Sequence, residues 1–174
     1  MRTHTVGLAL AAVLALLPAS AATGAPTREL KGSFSVQFPQ GHPAKVGSCP
    51  VDAFCGEGSV VNYGKATITI DNDNFVPRDD GCFDVTSTEF ITLLDGTGEL
   101  VYDTVGIFCS PGGSGDSNAG PNTYGHPGEW FARYTINGAQ STGVFAGASG
   151  TGIRWFKSAG GRGLWLIQGD LNPA

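Results

Sequence analysis

Charge is scarce in this chain, and positive charge is scarcest. Only 14% of the 174 residues are charged, with 10 Lys and Arg against 15 Asp and Glu. A net charge of −5 supplies no positive field for nucleic acid or an anionic membrane surface, and neither partner is expected. Histidine occurs three times, and His42 and His126 each precede a proline. With no Cys-x-x-Cys either, no metal site is expected. Helical periodicity is missing too: past the N-terminus, no window carries apolar residues at i, i+3, i+4 and i+7. Cofactor motifs are absent. Gly112-Gly113-Ser114-Gly115 has no following Lys-Ser/Thr, so it is not a phosphate loop. Ser110, Ser114 and Ser117 lack the strand–turn–helix setting of a nucleophile.

One apolar run does exist, and it is short. Val6 to Leu17 follows Arg2 and precedes Ala19-Ser20-Ala21, whose small side chains suit a signal peptidase. A bilayer span needs about twenty apolar residues, so this run reads as a cleaved signal over 1–21 rather than an anchor. The expectation is a secreted protein beginning at Ala22, with a flexible leader over 22–29, one domain over 30–174, and no membrane attachment after cleavage.

What the chain has in quantity is glycine (27) and short stretches of alternating polarity. Phe34, Val36 and Phe38 alternate with Ser33, Ser35 and Gln37. A strand is expected over Ser59 to Ile70, with Ala66, Ile68 and Ile70 on one face. Asp71 to Gly81 then reads as a turn, in which Asx residues bond their own backbone more readily than they gather calcium. Cys82 to Leu94 and Glu99 to Cys109 read as extended. Four more strands are expected at Trp130 to Ile136, Gly143 to Ala148, Gly152 to Phe156 and Leu164 to Gly169. Gln40 to Gly58 and Ser110 to Gly128 read as loops, the latter mobile. Asn137-Gly138 and Gly160-Gly161 mark turns. About eight short strands in one all-β domain suit an antiparallel barrel, with a two-sheet sandwich as the alternative. Closure favours the barrel because it removes exposed edges.

Four cysteines, Cys49, Cys55, Cys82 and Cys109, suit two disulfides in an exported protein. Asp95-Gly96 is the strongest hairpin signal and reads as a two-residue type I′ loop. That loop sets Leu94 opposite Thr97 and, further along the same register, Cys82 opposite Cys109, whereas a four-residue loop from Asp95 to Gly98 would shift the register by two and a bulge by one. Opposed residues on antiparallel strands bring their Cα atoms to about 4.5–5.5 Å, within disulfide reach. Cys49 and Cys55 are left to close a small loop.

Ser141-Thr142-Gly143-Val144-Phe145-Ala146-Gly147-Ala148-Ser149-Gly150 is the most distinctive run. It resembles the Gly-Gly-Thr-Gly-x-Phe-x-x-Ala-x-Gly element of the allene oxide cyclase and dirigent β-barrels, with Gln140-Ser141 in place of the paired glycines. The resemblance implies a barrel in which Gly143 turns the chain and Phe145 points into the core. It further implies a cofactor-free cyclase or dirigent-like activity governed by cavity shape.

No catalytic constellation stands out along the chain, so a binding or interaction module is expected ahead of an enzyme. A structural protein with a filled barrel is the third reading. Aromatic residues on the strands suggest a small apolar or aromatic ligand in the lumen. The candidate ligand-binding residues are Tyr102, Arg133, Tyr134 and Trp155. Glu89, Asp103, Arg133 and Arg154 also lie in strand-like segments, and any two that met inside would strengthen the case for a pocket.

Overall fold

The computed structural model describes residues 26–37, 55–109, 128–159 and 162–174. Among the described residues there are nine strands: β1 (Arg28–Gln37), β2 (Cys55–Val60), β3 (Gly64–Pro77), β4 (Phe83–Leu93), β5 (Gly98–Cys109), β6 (Gly128–Ile136), β7 (Thr142–Gly143), β8 (Thr151–Ala159) and β9 (Arg162–Leu171). All but the two-residue β7 form one antiparallel ring, in which each strand pairs with its neighbours in sequence. β1 closes the ring on β9 over ten residue pairs, from Arg28↔Leu171 to Gln37↔Arg162. The fold is therefore a closed eight-stranded barrel, and the sandwich is excluded because no pair of strands is left open between two sheets. β1 starts at Arg28, so the last two residues of the expected leader already belong to the wall.

Alternation places the core. Val85, Ser87, Glu89, Ile91 and Leu93 of β4 are buried, as are Trp130, Ala132, Tyr134 and Ile136 of β6, with the residues between them turned outward. Leu30, Phe34, Val36, Ile68, Leu100, Phe156, Trp165 and Ile167 complete the interior from the other strands.

Several sequence expectations are corrected, among them the loop expected over Gln40 to Gly58, whose last four residues belong to β2. The expected strand from Ser59 to Ile70 is a hairpin, because Asn62 adopts a left-handed φ of 69° and Tyr63 N donates to Val60 O. Asp71 to Pro77 is the end of β3 rather than a turn. A bulge between Asp71 and Asn74 shifts its register on β4, so Ile70 and Phe75 both pack on the core despite their odd spacing. The turn itself is confined to Arg78–Gly81, where Arg78 pairs with Asp80 and Asp84 at 3.2 and 2.8 Å. Gly143 to Ala148 does not run extended, because Gly143 and Gly147 take φ of 56° and 70°. It folds over one barrel end, where Phe145 is fully buried against Tyr63 at 4.8 Å. A side chain at Gly143 would meet Thr97 O, so the close approach to the β4–β5 turn requires glycine.

The expected β4–β5 register holds, from Phe83↔Phe108 to Thr92↔Glu99, and Cys82 is bonded to Cys109 with Cα atoms 4.4 Å apart. The turn that sets this register is not type I′. Gly96 alone has positive φ, and Gly96 N donates to Leu93 O around Leu94 and Asp95. Asp95 Oδ1 accepts from Thr97 N and Oγ1, which completes a four-residue loop between Leu93 and Gly98. Cys55 is also disulfide-bonded. Its expected partner Cys49 lies outside the described residues, as do the signal segment, Gly160-Gly161 and the expected mobile loop up to Pro127.

Candidate functional site: a buried ion pair between two indoles

The register that pairs Cys82 with Cys109 also pairs Glu89 with Tyr102, and both side chains face inward. Ser87 and Thr104 sit one inward step away, and their hydroxyls lie 2.7 Å apart. From the far side of the ring, β8 delivers Arg154. It is 0% exposed, as is Glu89.

These groups form one network. Arg154 Nε donates to Glu89 Oε2 at 3.2 Å, and Arg154 Nη2 lies 2.9 Å from Glu89 Oε1. Tyr102 donates its hydroxyl to Oε2 at 2.7 Å, and Ser87 donates to Oε1 at 3.1 Å. The carboxylate thus faces a guanidinium and two hydroxyls. The guanidinium is bracketed in turn: its carbon lies 3.6 Å from the centroid of Trp130 and 4.3 Å from that of Trp165. Indole faces present negative potential, so they stabilise a cation that has lost its water. Burial is the largest influence on both charges. It pushes the Glu89 carboxyl up against the pull of Arg154 and Tyr102, and it pushes Arg154 down against the pull of Glu89. Burial also raises Tyr102 well above the ordinary tyrosine range, and Tyr134 rises for the same reason, helped by Asp170.

Tyr134 stacks beside Tyr102 with centroids 5.2 Å apart, and its hydroxyl lies over Gly152 and Gly169. A methyl at either glycine would fall 2.4 Å from that oxygen, so the two glycines make the room for this ring. Arg154 Nη1, Trp130 Nε1 and the Tyr134 hydroxyl are buried donors without an acceptor. Phe75, Phe83 and Phe108 gather beside Trp130 towards the disulfide end, with Phe75 5.7 Å from Trp130.

Of the four expected ligand-binding residues, Tyr102 and Tyr134 face the interior and the other two do not. Arg133 is exposed, and Trp155 is half-buried on the outer wall. There Trp155 Nε1 donates to Glu129 Oε1 at 2.6 Å, and the indole lines an outer groove of about 540 Å³ with Phe131, Ile153 and Leu166. Asp103 is likewise outside. Glu89 and Arg154 are the pair that meets. Ser87 and Thr104 were not singled out in the sequence, although Ser87 shares the inward parity of Val85 and Glu89.

Known protein families, curated proteins and solved structures yield no match to this chain.

Proposed function

We propose that this protein is an exported β-barrel binding module that takes a small, largely apolar or aromatic molecule carrying a neutral acceptor oxygen. One observation carries the reading: Arg154 is fully buried between two indoles while its Nη1 and the adjoining Trp130 Nε1 lack an acceptor. An unmet buried donor costs about 1–3 kcal/mol, more when charged, and a ligand oxygen would recover it. Glu89 already neutralises the guanidinium, so the ligand needs no charge of its own. Nearby Phe75, Phe108 and Trp165 suit an aromatic body. Export is supported by the signal-like N-terminus and by the Cys82–Cys109 disulfide, a bond that persists in oxidising compartments.

The test is tryptophan emission on titration with acetophenone and with ethylbenzene, an aromatic ketone and its hydrocarbon counterpart. The ketone is expected to bind more tightly, and Arg154→Met is expected to weaken it by about tenfold. No response to either, together with no co-purified ligand in native mass spectra, would leave a filled, structural barrel.

A second reading is an enzyme of the allene oxide cyclase or dirigent-like kind. It is favoured by the ionisable groups Glu89, Arg154 and Tyr102 meeting inside a closed barrel whose end is covered by the Ser141–Gly150 run. Turnover of a bound compound, lost in Glu89→Gln with binding retained, would select it over simple binding.

A further inference from the structure

We propose that the interior site is entered at the disulfide end of the barrel, past a gate of three phenylalanine rings, and that its ligand is a slender molecule that goes in oxygen first. The inference rests on the interior binding proposed above and adds a direction to it. The two barrel ends are closed by different means. At one end the Ser141–Gly150 run is tied down by backbone hydrogen bonds. Val144 N donates to Thr97 O at 3.1 Å, Gly147 N to Gly138 O at 3.0 Å, and Ser149 and Asn172 exchange a pair at 2.9 and 2.7 Å. Beneath that run Phe145 is fully buried. Passage there would break main-chain bonds, and each broken bond leaves a polar group unmet. At the other end, side chains meet over Trp130. Phe75 lies 6.1, 6.1 and 5.7 Å from Phe83, Phe108 and Trp130, centroid to centroid, and Phe83 lies 6.4 Å from Phe108. All three phenylalanines are half-buried, whereas Trp130 behind them is buried. Turning one of these rings aside breaks ring contacts alone, and side chains change rotamer far faster than a backbone turn unfolds.

Local features place the three rings. The bulge between Asp71 and Asn74 turns Phe75 onto the core. Phe83 and Phe108 pair across β4 and β5, and each is the chain neighbour of a disulfide cysteine. The Cys82–Cys109 bond therefore anchors two of the three rings at the mouth. Gly128 leaves room for Phe108, since a Cβ there would lie 2.6 Å from that ring. The open donors come next behind the rings. Trp130 is the register partner of Phe108, and Arg154 pairs with Ala132, the following inward residue of β6. Glu89 is deeper still, the third inward residue of β4 after Phe83. Arg154 commits Nε and Nη2, one edge of its planar fork, to Glu89. Its Nη1 thus lies on the edge turned away from that carboxylate. A molecule arriving past the rings meets the open donors of Trp130 and Arg154 with its leading atom. The ligand class that follows has its acceptor oxygen at one end and little bulk beside that oxygen. Its apolar body trails among Phe75, Phe83 and Phe108.

Stopped-flow tryptophan emission with acetophenone, para-butylacetophenone and tert-butyl phenyl ketone tests the direction. The butyl compound is expected to bind at least as tightly as acetophenone, because its added chain trails outward. The bulk beside the oxygen of tert-butyl phenyl ketone is expected to weaken binding about tenfold. Phe75→Leu and Phe83→Leu each remove ring contacts that opening must break, so each is expected to raise the association rate constant about tenfold. Tyr63→Leu, at the Phe145 end, is expected to leave that rate unchanged. Near-ultraviolet circular dichroism checks that each barrel is intact, and either phenylalanine variant alone suffices for the test. A wild-type protein that binds none of the ketones overturns the binding reading and the entrance with it. Binding that depends on Arg154, at rates indifferent to both phenylalanine variants, keeps the binding reading and overturns the gate. Rates that rise in Tyr63→Leu instead put the entrance at the opposite end and overturn the proposal as well. Tight binding of tert-butyl phenyl ketone overturns the oxygen-first orientation.

Discussion

At the scale of single residues, the unusual feature is a charged pair where a barrel of this size would place hydrocarbon. Removing one member of a buried ion pair leaves its partner without compensation, at about 3–5 kcal/mol, whereas replacing both with apolar residues is often neutral. Glu89→Leu is therefore expected to lower unfolding free energy by about 3–5 kcal/mol, and the double variant with Arg154→Leu is expected to recover most of that. Urea denaturation of the two proteins decides it. A double variant as unstable as the single would mean that Arg154 is held mainly by Trp130 and Trp165. Glu89 was visible in the sequence as a strand residue of undecided face. Its partner could not be named, because 65 residues separate the two and only closure of the ring brings them together.

At the scale of the element, the β4–β5 hairpin is where sequence reasoning reached furthest. The register followed from the position of Asp95-Gly96, and Cys82–Cys109 sits on it although the turn type differs. Two loops of different geometry can preserve one register when both span an even number of residues between the same paired strands. The disulfide closes a loop with a sequence separation of 27, which on the chain-entropy model stabilises by about 3–4 kcal/mol. Cys82→Ser with Cys109→Ser should lose about that much in urea denaturation, and a loss near zero would show that strand pairing alone restrains these ends. Asp95 supplies a pH test of the same hairpin. The Thr97 backbone N–H and hydroxyl hold its carboxyl below the usual 3.8. The sign follows from the depressed value: the contribution is complete above 3.8 and is lost as pH falls through the folded-state value. An NMR titration of Asp95 should show its midpoint below 3.8, and an unshifted midpoint would mean the turn bonds are not made in solution.

At the scale of the whole molecule, the barrel has two unlike ends. Phe145 and the glycine-rich run cover one, while the disulfide and the cluster of Phe75, Phe83 and Phe108 mark the other. The proposed export is tested at this scale as well. Intact mass of material recovered outside the cell should correspond to a start at Ala22, and retention of Val6 to Leu17 would refute cleavage. The interior ion pair arises from how β8 is set in the ring, with Arg154 inward and Ile153 and Trp155 outward.

Alternation, turn residues and cysteine count were enough for the sequence to determine an all-β domain of about eight strands, and one hairpin register. These are local matters, decided by side-chain period and by the φ a turn demands. Which face of β8 turns inward was not local. Ile153 and Trp155 lie on one face and Phe156 lies beside Arg154 on the other, so alternation alone leaves the choice open. The tertiary structure decided it, because an inward Arg154 finds Glu89, Trp130 and Trp165 only across a closed ring. Those partners offset its desolvation and leave Ile153 and Trp155 facing out.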